Sequence, residues 1–221
     1  MMSDIKNSNE VIGSSFVRYK EDERNEIRYR IFLRTESVEA KTNIIIYLSQ
    51  ILEEFSFVSS YELVPYMREY VRYGRELTTK YEKVSMAESE LVIEIFNKFP
   101  KKMLKVLLFK LIINLLKETQ QEEKFIQRYK KLDKNGRRIK TEFQKEKLKM
   151  IDQLENINLH SKFYVNWMRH LISYFKELQQ DDIIFDVIHM LCNRVIGIDR
   201  NKENQYMIEL SVIVSYLMYN S

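Results

Sequence analysis

The sequence predicts an α+β fold, with a small N-terminal, mainly antiparallel sheet followed by a predominantly helical C-terminal half. Three observations carry that reading. Residues 26–34, EIRYRIFLR, alternate apolar and basic side chains with period two, the mark of a half-buried strand. Only four glycines and two prolines punctuate 221 residues, which favours long helices. From about Glu76 onward, apolar residues recur at helical spacing to the end of the chain.

Taken in order, residues 1–14 are polar and read as a tail. SFVRYK (15–20) is β-prone, and the polar YKEDERNE that follows suits the connection of a hairpin to strand 26–34. In that second strand, Ile27, Tyr29, Ile31 and Leu33 form one face, while Arg28, Arg30, Phe32 and Arg34 form the other. Residues 38–55 read as an amphipathic helix with Ser37 as its cap. FVSSYELVPYM (57–67) is a third strand, with Pro65 near its end or on an edge. Helices are then expected over 76–98, 101–118, 120–132, 140–156, 161–179, 181–195 and 201–219. Pro100 separates the first two, because the residue before a proline resists the α region. Asn135-Gly136 signals a turn, and Gly197 ends the helix that carries His189. The expectation is one domain over 1–221: tail 1–14, sheet-containing part 15–75, helical part 76–221.

Composition removes several function classes. A single cysteine, Cys192, excludes an internal disulfide framework and an all-cysteine metal site. His160, His170 and His189 are the only histidines and form no metal-binding motif, so no metal is expected. No GxGxxG, Walker-type or GxSxG pattern occurs, so nucleotide binding and serine-hydrolase chemistry have no support, and no cofactor is expected. The N-terminus lacks the apolar run of a signal peptide. The longest apolar stretch, MLKVLLFKLIINLL (103–116), carries lysines and is too short to span a bilayer. The reading is a cytoplasmic protein with no membrane insertion.

Three clusters could carry chemistry. The arginine face of the second strand faces either water or an anion, since guanidinium forks hold carboxylates and stay charged at any relevant pH. In DDIIFDVIHMLCNRVIGIDR, His189 shares a helix face with Asp182, Asp186 and Asn193. Asp186 would then be its hydrogen-bond partner, either within a core pair or as the group orienting a general base. Residues 127–149 hold ten Lys/Arg against three acids, a solvated surface or an electrostatic dock for an acidic protein, peptide or RNA.

Three stretches, FVRYKEDERNEIRYRIFL, EYVRYGRELTTKYEKVSMAES and IHMLCNRVIGIDR, together resemble the C-terminal domain of lantibiotic dehydratases. The same domain stands alone as the thiopeptide-type bacteriocin biosynthesis protein. The family pattern runs RY…LRLRF, EVERYGG with an ADS-like stretch, and HxxxNRLxG, and the matches occur here in that order from about Ser15. The resemblance implies a lyase step. A separate tRNA-dependent glutamylation protein esterifies Ser or Thr of a precursor peptide with glutamate, and this domain eliminates the glutamate to leave a dehydroamino acid. Carried over by motif, the catalytic residues are Arg28 or Arg30, Arg72 and His189, supported by Glu69, Tyr73, Gly74, Asp186, Asn193 and Arg194. Implied partners are the glutamylated precursor peptide and the glutamylation protein, with a cyclase and self-association also open.

Two departures stand out. Arg75 replaces the second glycine of EVERYGG, and the short N-terminus lacks the strand and helix with which the family domain starts. Two other readings share the fold: a thiopeptide cycloaddition enzyme that forms a pyridine ring, and an inactive subunit that binds leader peptide or a partner.

Overall fold

A computed structural model describes residues 11–21, 24–34, 36–56, 58, 60–62, 64, 75–130, 134–177 and 183–220. It begins with an antiparallel hairpin, β1 (Val11–Glu21) and β2 (Arg24–Leu33), in which Phe16 pairs with Tyr29 and Val17 with Arg28. Strand β1 therefore starts at Val11, within the segment read from sequence as a tail, and a bulge at Val11–Gly13 bends it. At Gly13, an added Cβ would stand 2.5 Å from Met86 Sδ, so glycine allows the close approach of the helix beyond.

The two faces of β2 are less clean than the alternation predicts. Ile27, on the apolar row, is 69% exposed, while Phe32, on the arginine row, is 8% exposed. The register explains both. Ile27 lies near the hairpin tip opposite Arg18, whereas Phe32 faces Gly13, which has no side chain to compete for the space. The arginine row also shares its face with Ser15 and Val17, both buried.

Helix α1 (Val38–Glu54) starts where expected: the Ser37 hydroxyl accepts from Ala40 N–H at 3.3 Å. It packs lightly, with Leu48 joining Val11, Ile31, Leu33 and Ile44 in a small cluster of its own. The third strand expected over 57–67 is not formed at the described positions 58, 60–62 and 64, which are irregular; the rest of that stretch lies outside the described residues.

The helical part follows as α2 (Arg75–Lys98), a 3₁₀ turn (Lys101–Met103), α3 (Leu104–Thr119), α4 (Glu122–Arg128), α5 (Lys134–Phe143), α6 (Lys147–Glu155), α7 (Lys162–Phe175), α8 (Ile183–Ile196) and α9 (Arg200–Asn220). Pro100, with extended backbone at φ −67° and ψ 151°, separates α2 from the 3₁₀ turn. Two expectations are corrected. Residues 140–156 are split between α5 and α6, with a turn at 144–146. Asn135-Gly136 lies inside the first turn of α5, where backbone N–H groups lack intrahelical partners in any case and a glycine disrupts little.

Helix α3 is the centre of the core. Leu107, Leu108, Phe109, Leu111, Ile112, Leu115 and Leu116 are fully enclosed, and α6, α7, α8 and α9 pack around them. A helix this apolar on every side suits a position surrounded by other helices. Among the described residues, no helix is long and apolar enough to cross a membrane.

Candidate functional site

The outer edge of β1 has no neighbouring strand among the described residues, yet the backbone groups of Phe16 and Arg18 on it are satisfied. Phe16 N–H donates to Ser89 Oγ at 3.1 Å, and Phe16 C=O accepts from Arg194 Nε at 2.8 Å. Arg18 N–H donates to Asn193 Oδ1 at 2.9 Å, and Arg18 C=O accepts from Asn193 Nδ2 at 2.8 Å. The Asn193 amide thus behaves as a one-residue strand, pairing donor with acceptor and acceptor with donor. Such pairing also removes the hazard of an open sheet edge.

Arg194 is the second fastening. Its guanidinium bonds Glu88 Oε1 and, at 2.6 Å, Ser85 Oγ, with Arg194 and Glu88 both essentially enclosed. The other Glu88 oxygen accepts from Trp167 Nε1 at 3.3 Å. Burial pushes the Glu88 carboxyl up, against the pull of Arg194 and of the Trp167 N–H. Every partner in this knot is held, which a buried ion pair requires. Asn193 and Arg194 therefore serve the site indirectly: they lock α8 onto β1 and thereby set where His189 stands.

His189 lies one turn before Asn193 on α8, with its side chain 42% exposed. Its Nδ1 is 2.9 Å from both carboxylate oxygens of Glu203. This corrects the expected pairing with Asp186. Asp186 sits in the first turn of α8, where a negative charge suits the helix dipole. It adds only the weakest of the several influences on His189. Glu203 comes instead from the first turn of α9, brought back by the turn at Gly197, whose φ of +87° suits glycine. The one sequence signal for it was the helix–glycine–helix order, which folds residues on either side of Gly197 towards each other.

The hydrogen bond to the Glu203 carboxylate is the main cause raising the His189 pKa above the usual imidazole value, and burial opposes it. A carboxylate on Nδ1 selects the Nδ1–H tautomer and leaves Nε2 as the basic nitrogen. The pair is thus a histidine with a chosen working atom and raised basicity, able to take a proton from a weakly acidic carbon or pass one on.

Other groups lie along α8. The Arg128 guanidinium lies 4.0 Å from the Phe185 ring centroid. The Tyr129 phenol is pushed up to about 12, chiefly by burial, with Cys192 and Glu203 adding to the shift and Arg128 opposing it. Sequence reasoning singled out neither Tyr129 nor Glu203, and took Arg128 only as part of the basic stretch 127–149, because none belongs to a local motif.

The arginines of the hairpin stand on the other side of β1 from α8. Arg28 pairs in register with Val17 and reaches Glu26 at 3.9 Å, with half its side chain exposed; Arg30 pairs with Ser15 and is half-buried. Arg28 is therefore one strand away from Asn193's grip on Arg18. Glu69, Arg72, Tyr73, Gly74 and Asp182 lie outside the described residues. Arg72 to Gly74 immediately precede α2, the helix that supplies Ser85, Glu88 and Ser89 to the knot. A separate cleft of about 580 Å³ opens between α5 and the start of α9, walled by Lys105, Asn135, Lys202 and Tyr206; His189 does not line it. Among the described residues, no group of His, Cys, Asp and Glu could hold a metal ion.

A family model described as "Lantibiotic biosynthesis dehydratase C-term" matches residues 1–211. No curated protein matches the sequence. Among solved structures, the fold is similar to that of the tRNA-dependent lantibiotic dehydratase MibB from Microbispora sp. 107891, with TM-score 0.64 and 14% identity. That likeness covers 95% of this chain and 25% of MibB, so the chain spans about a quarter of that protein's length.

Proposed function

The chain belongs to the lantibiotic biosynthesis dehydratase C-terminal family, and on that premise we propose that it eliminates glutamate from glutamylated Ser or Thr of a precursor peptide. A partner glutamylation protein supplies the ester. The step removes the Cα proton, forms the Cα=Cβ bond and breaks the Cβ–O bond. The electron pair leaves on the glutamate carboxylate, and dehydroalanine or dehydrobutyrine remains.

The observation that carries this reading is the His189–Glu203 pair, whose histidine opens the HxxxNR motif. A peptide Cα–H is very weakly acidic, so the base needs a raised affinity for protons and a fixed lone pair, and Glu203 provides both. His189 Nε2 takes the proton, a contribution on the order of 10²–10⁴ in rate. Arg28 or Arg30, with Arg72, stabilises the enolate and the departing carboxylate, at about 2.7–4 kcal/mol for each donor removed. Glu69, Tyr73 and Gly74 shape the segment that carries Arg72. The reading implies a cytoplasmic enzyme that meets its substrate where glutamyl-tRNA is consumed, and it needs no cofactor.

The test is to incubate the protein with a synthetic glutamyl-ester peptide and follow free glutamate and the dehydrated peptide by mass spectrometry. Wild type is expected to release both in equal amounts, and His189→Ala to lose at least 10²-fold in rate. Release from His189→Ala at the wild-type rate would remove His189 from the reaction. An intact ester with bound peptide would instead indicate a binding subunit.

A further inference from the structure

We propose that Arg128 recognises the side-chain carboxylate of the glutamyl group, and so makes the site selective for glutamyl over other aminoacyl esters. This rests on the elimination reading above. A glutamyl ester brings two acidic functions to the site. The esterified carboxyl becomes the leaving group, for which Arg28, Arg30 and Arg72 are already proposed partners. The free side-chain carboxylate has none assigned, and it distinguishes glutamate from its uncharged relatives.

Arg128 meets that need by position. It ends α4 and lies over Phe185 at 4.0 Å from the ring centroid. Phe185 precedes His189 by four residues on α8, so the two share a face one turn apart, about 6 Å. The ring that carries the guanidinium is therefore anchored one helical turn from the residue of the proposed base. A stacked guanidinium keeps its N–H groups at its edges, free of the ring, in the fork that matches a carboxylate.

The platform is also firm. Phe125, fully enclosed, stacks on Phe185 with 6.5 Å between centroids at 15°, and Tyr129 packs on Phe125 at 5.1 Å. Arg128 also opposes, and Glu203 adds to, the upward shift of the neighbouring Tyr129 phenol. An exposed arginine standing on a partly buried aromatic stack anchored by Phe125 is pre-ordered for binding, which lowers the cost of capturing a ligand.

The experiment compares Arg128→Met and Arg128→Lys with wild type on two esters of one peptide, glutamyl and glutaminyl. In parallel, binding is measured to a peptide carrying glutamate as an amide on diaminopropionate, which resists elimination. Arg128 is a surface residue, and unchanged circular dichroism would show that the variants fold. Wild type is expected to prefer the glutamyl ester. Arg128→Met should raise KM for it about tenfold to a hundredfold, leave the glutaminyl ester unchanged, and weaken amide binding by a similar factor. Arg128→Lys should restore part of the preference. Equal losses on both esters, or no loss on either, would overturn the assignment while elimination stands. Arg128-dependent amide binding without glutamate release from the ester would leave recognition standing and sink the elimination reading. Neither release nor Arg128-dependent binding would end both.

Discussion

Glu203 holds both of its carboxylate oxygens 2.9 Å from Nδ1 of His189, across the turn that the chain makes at Gly197. The two residues belong to successive helices, so the pair exists only because α9 doubles back beside α8.

Replacing Glu203 by Gln should lower the His189 pKa towards the ordinary imidazole value, because the hydrogen bond to that carboxylate is the largest influence raising it. The sign for stability follows. A raised histidine favours the folded state fully below the unfolded value of about 6.5, and that contribution fades as pH rises through the folded value. With its side chain 42% exposed, His189 should add only a small amount. NMR titration of the imidazole in both proteins checks the shift, and an unmoved midpoint would refute the role of Glu203.

Arg194→Met should destabilise the fold by about 3–5 kcal/mol, since it leaves Glu88 enclosed without its cation. Pairing it with Glu88→Gln should recover part of the loss, because the stranded charge is then gone. Denaturant unfolding of the two single variants and the double variant measures this. A loss below about 1 kcal/mol in Arg194→Met would show that the pair contributes little.

Asn193 offers a finer comparison. Asn193→Leu removes both bonds to Arg18 and should cost about 2–4 kcal/mol. Asn193→Asp keeps an acceptor for Arg18 N–H but sets an oxygen against Arg18 C=O, so it should also be destabilising. Hydrogen exchange at the Arg18 amide should speed up markedly in Asn193→Leu and less in Asn193→Asp. Equal protection in both would argue against the strand-like pairing.

Gly197→Ala should cost about 1–2 kcal/mol, since φ is +87° there and L side chains disfavour that region. The added Cβ would stand 3.4 Å from Arg18 Nη1, a tight contact with a flexible group, so backbone strain dominates. A shift in thermal midpoint without loss of helical circular dichroism is the expected result.

Much of the fold was legible. The strand at 26–34, the Ser37 cap, the break at Pro100 and the end at Gly197 each follow from a few neighbouring residues, and each is found in the structure. Misreadings arose where local signals met tertiary packing. Asn135-Gly136 reads as a turn, yet α5 packs on α9 and continues through it. The alternation that placed Phe32 among the arginines was correct about the strand but silent about Gly13 opposite it.

Sequence alone determined the hairpin, most of the helices and the ordered motif set that points to the family, because propensity, periodicity and motif spacing are properties of neighbours along the chain. It also singled out His189 and the NR pair after it. Only the tertiary structure decided what these residues touch. Asn193 meets Arg18 across 175 positions, Arg194 meets Phe16 across 178, and Glu203 displaces Asp186 as the partner of His189. Hydrogen bonds form between groups close in space, and helical spacing ranks only the partners within one helix; the turn at Gly197 supplied a better one from the next.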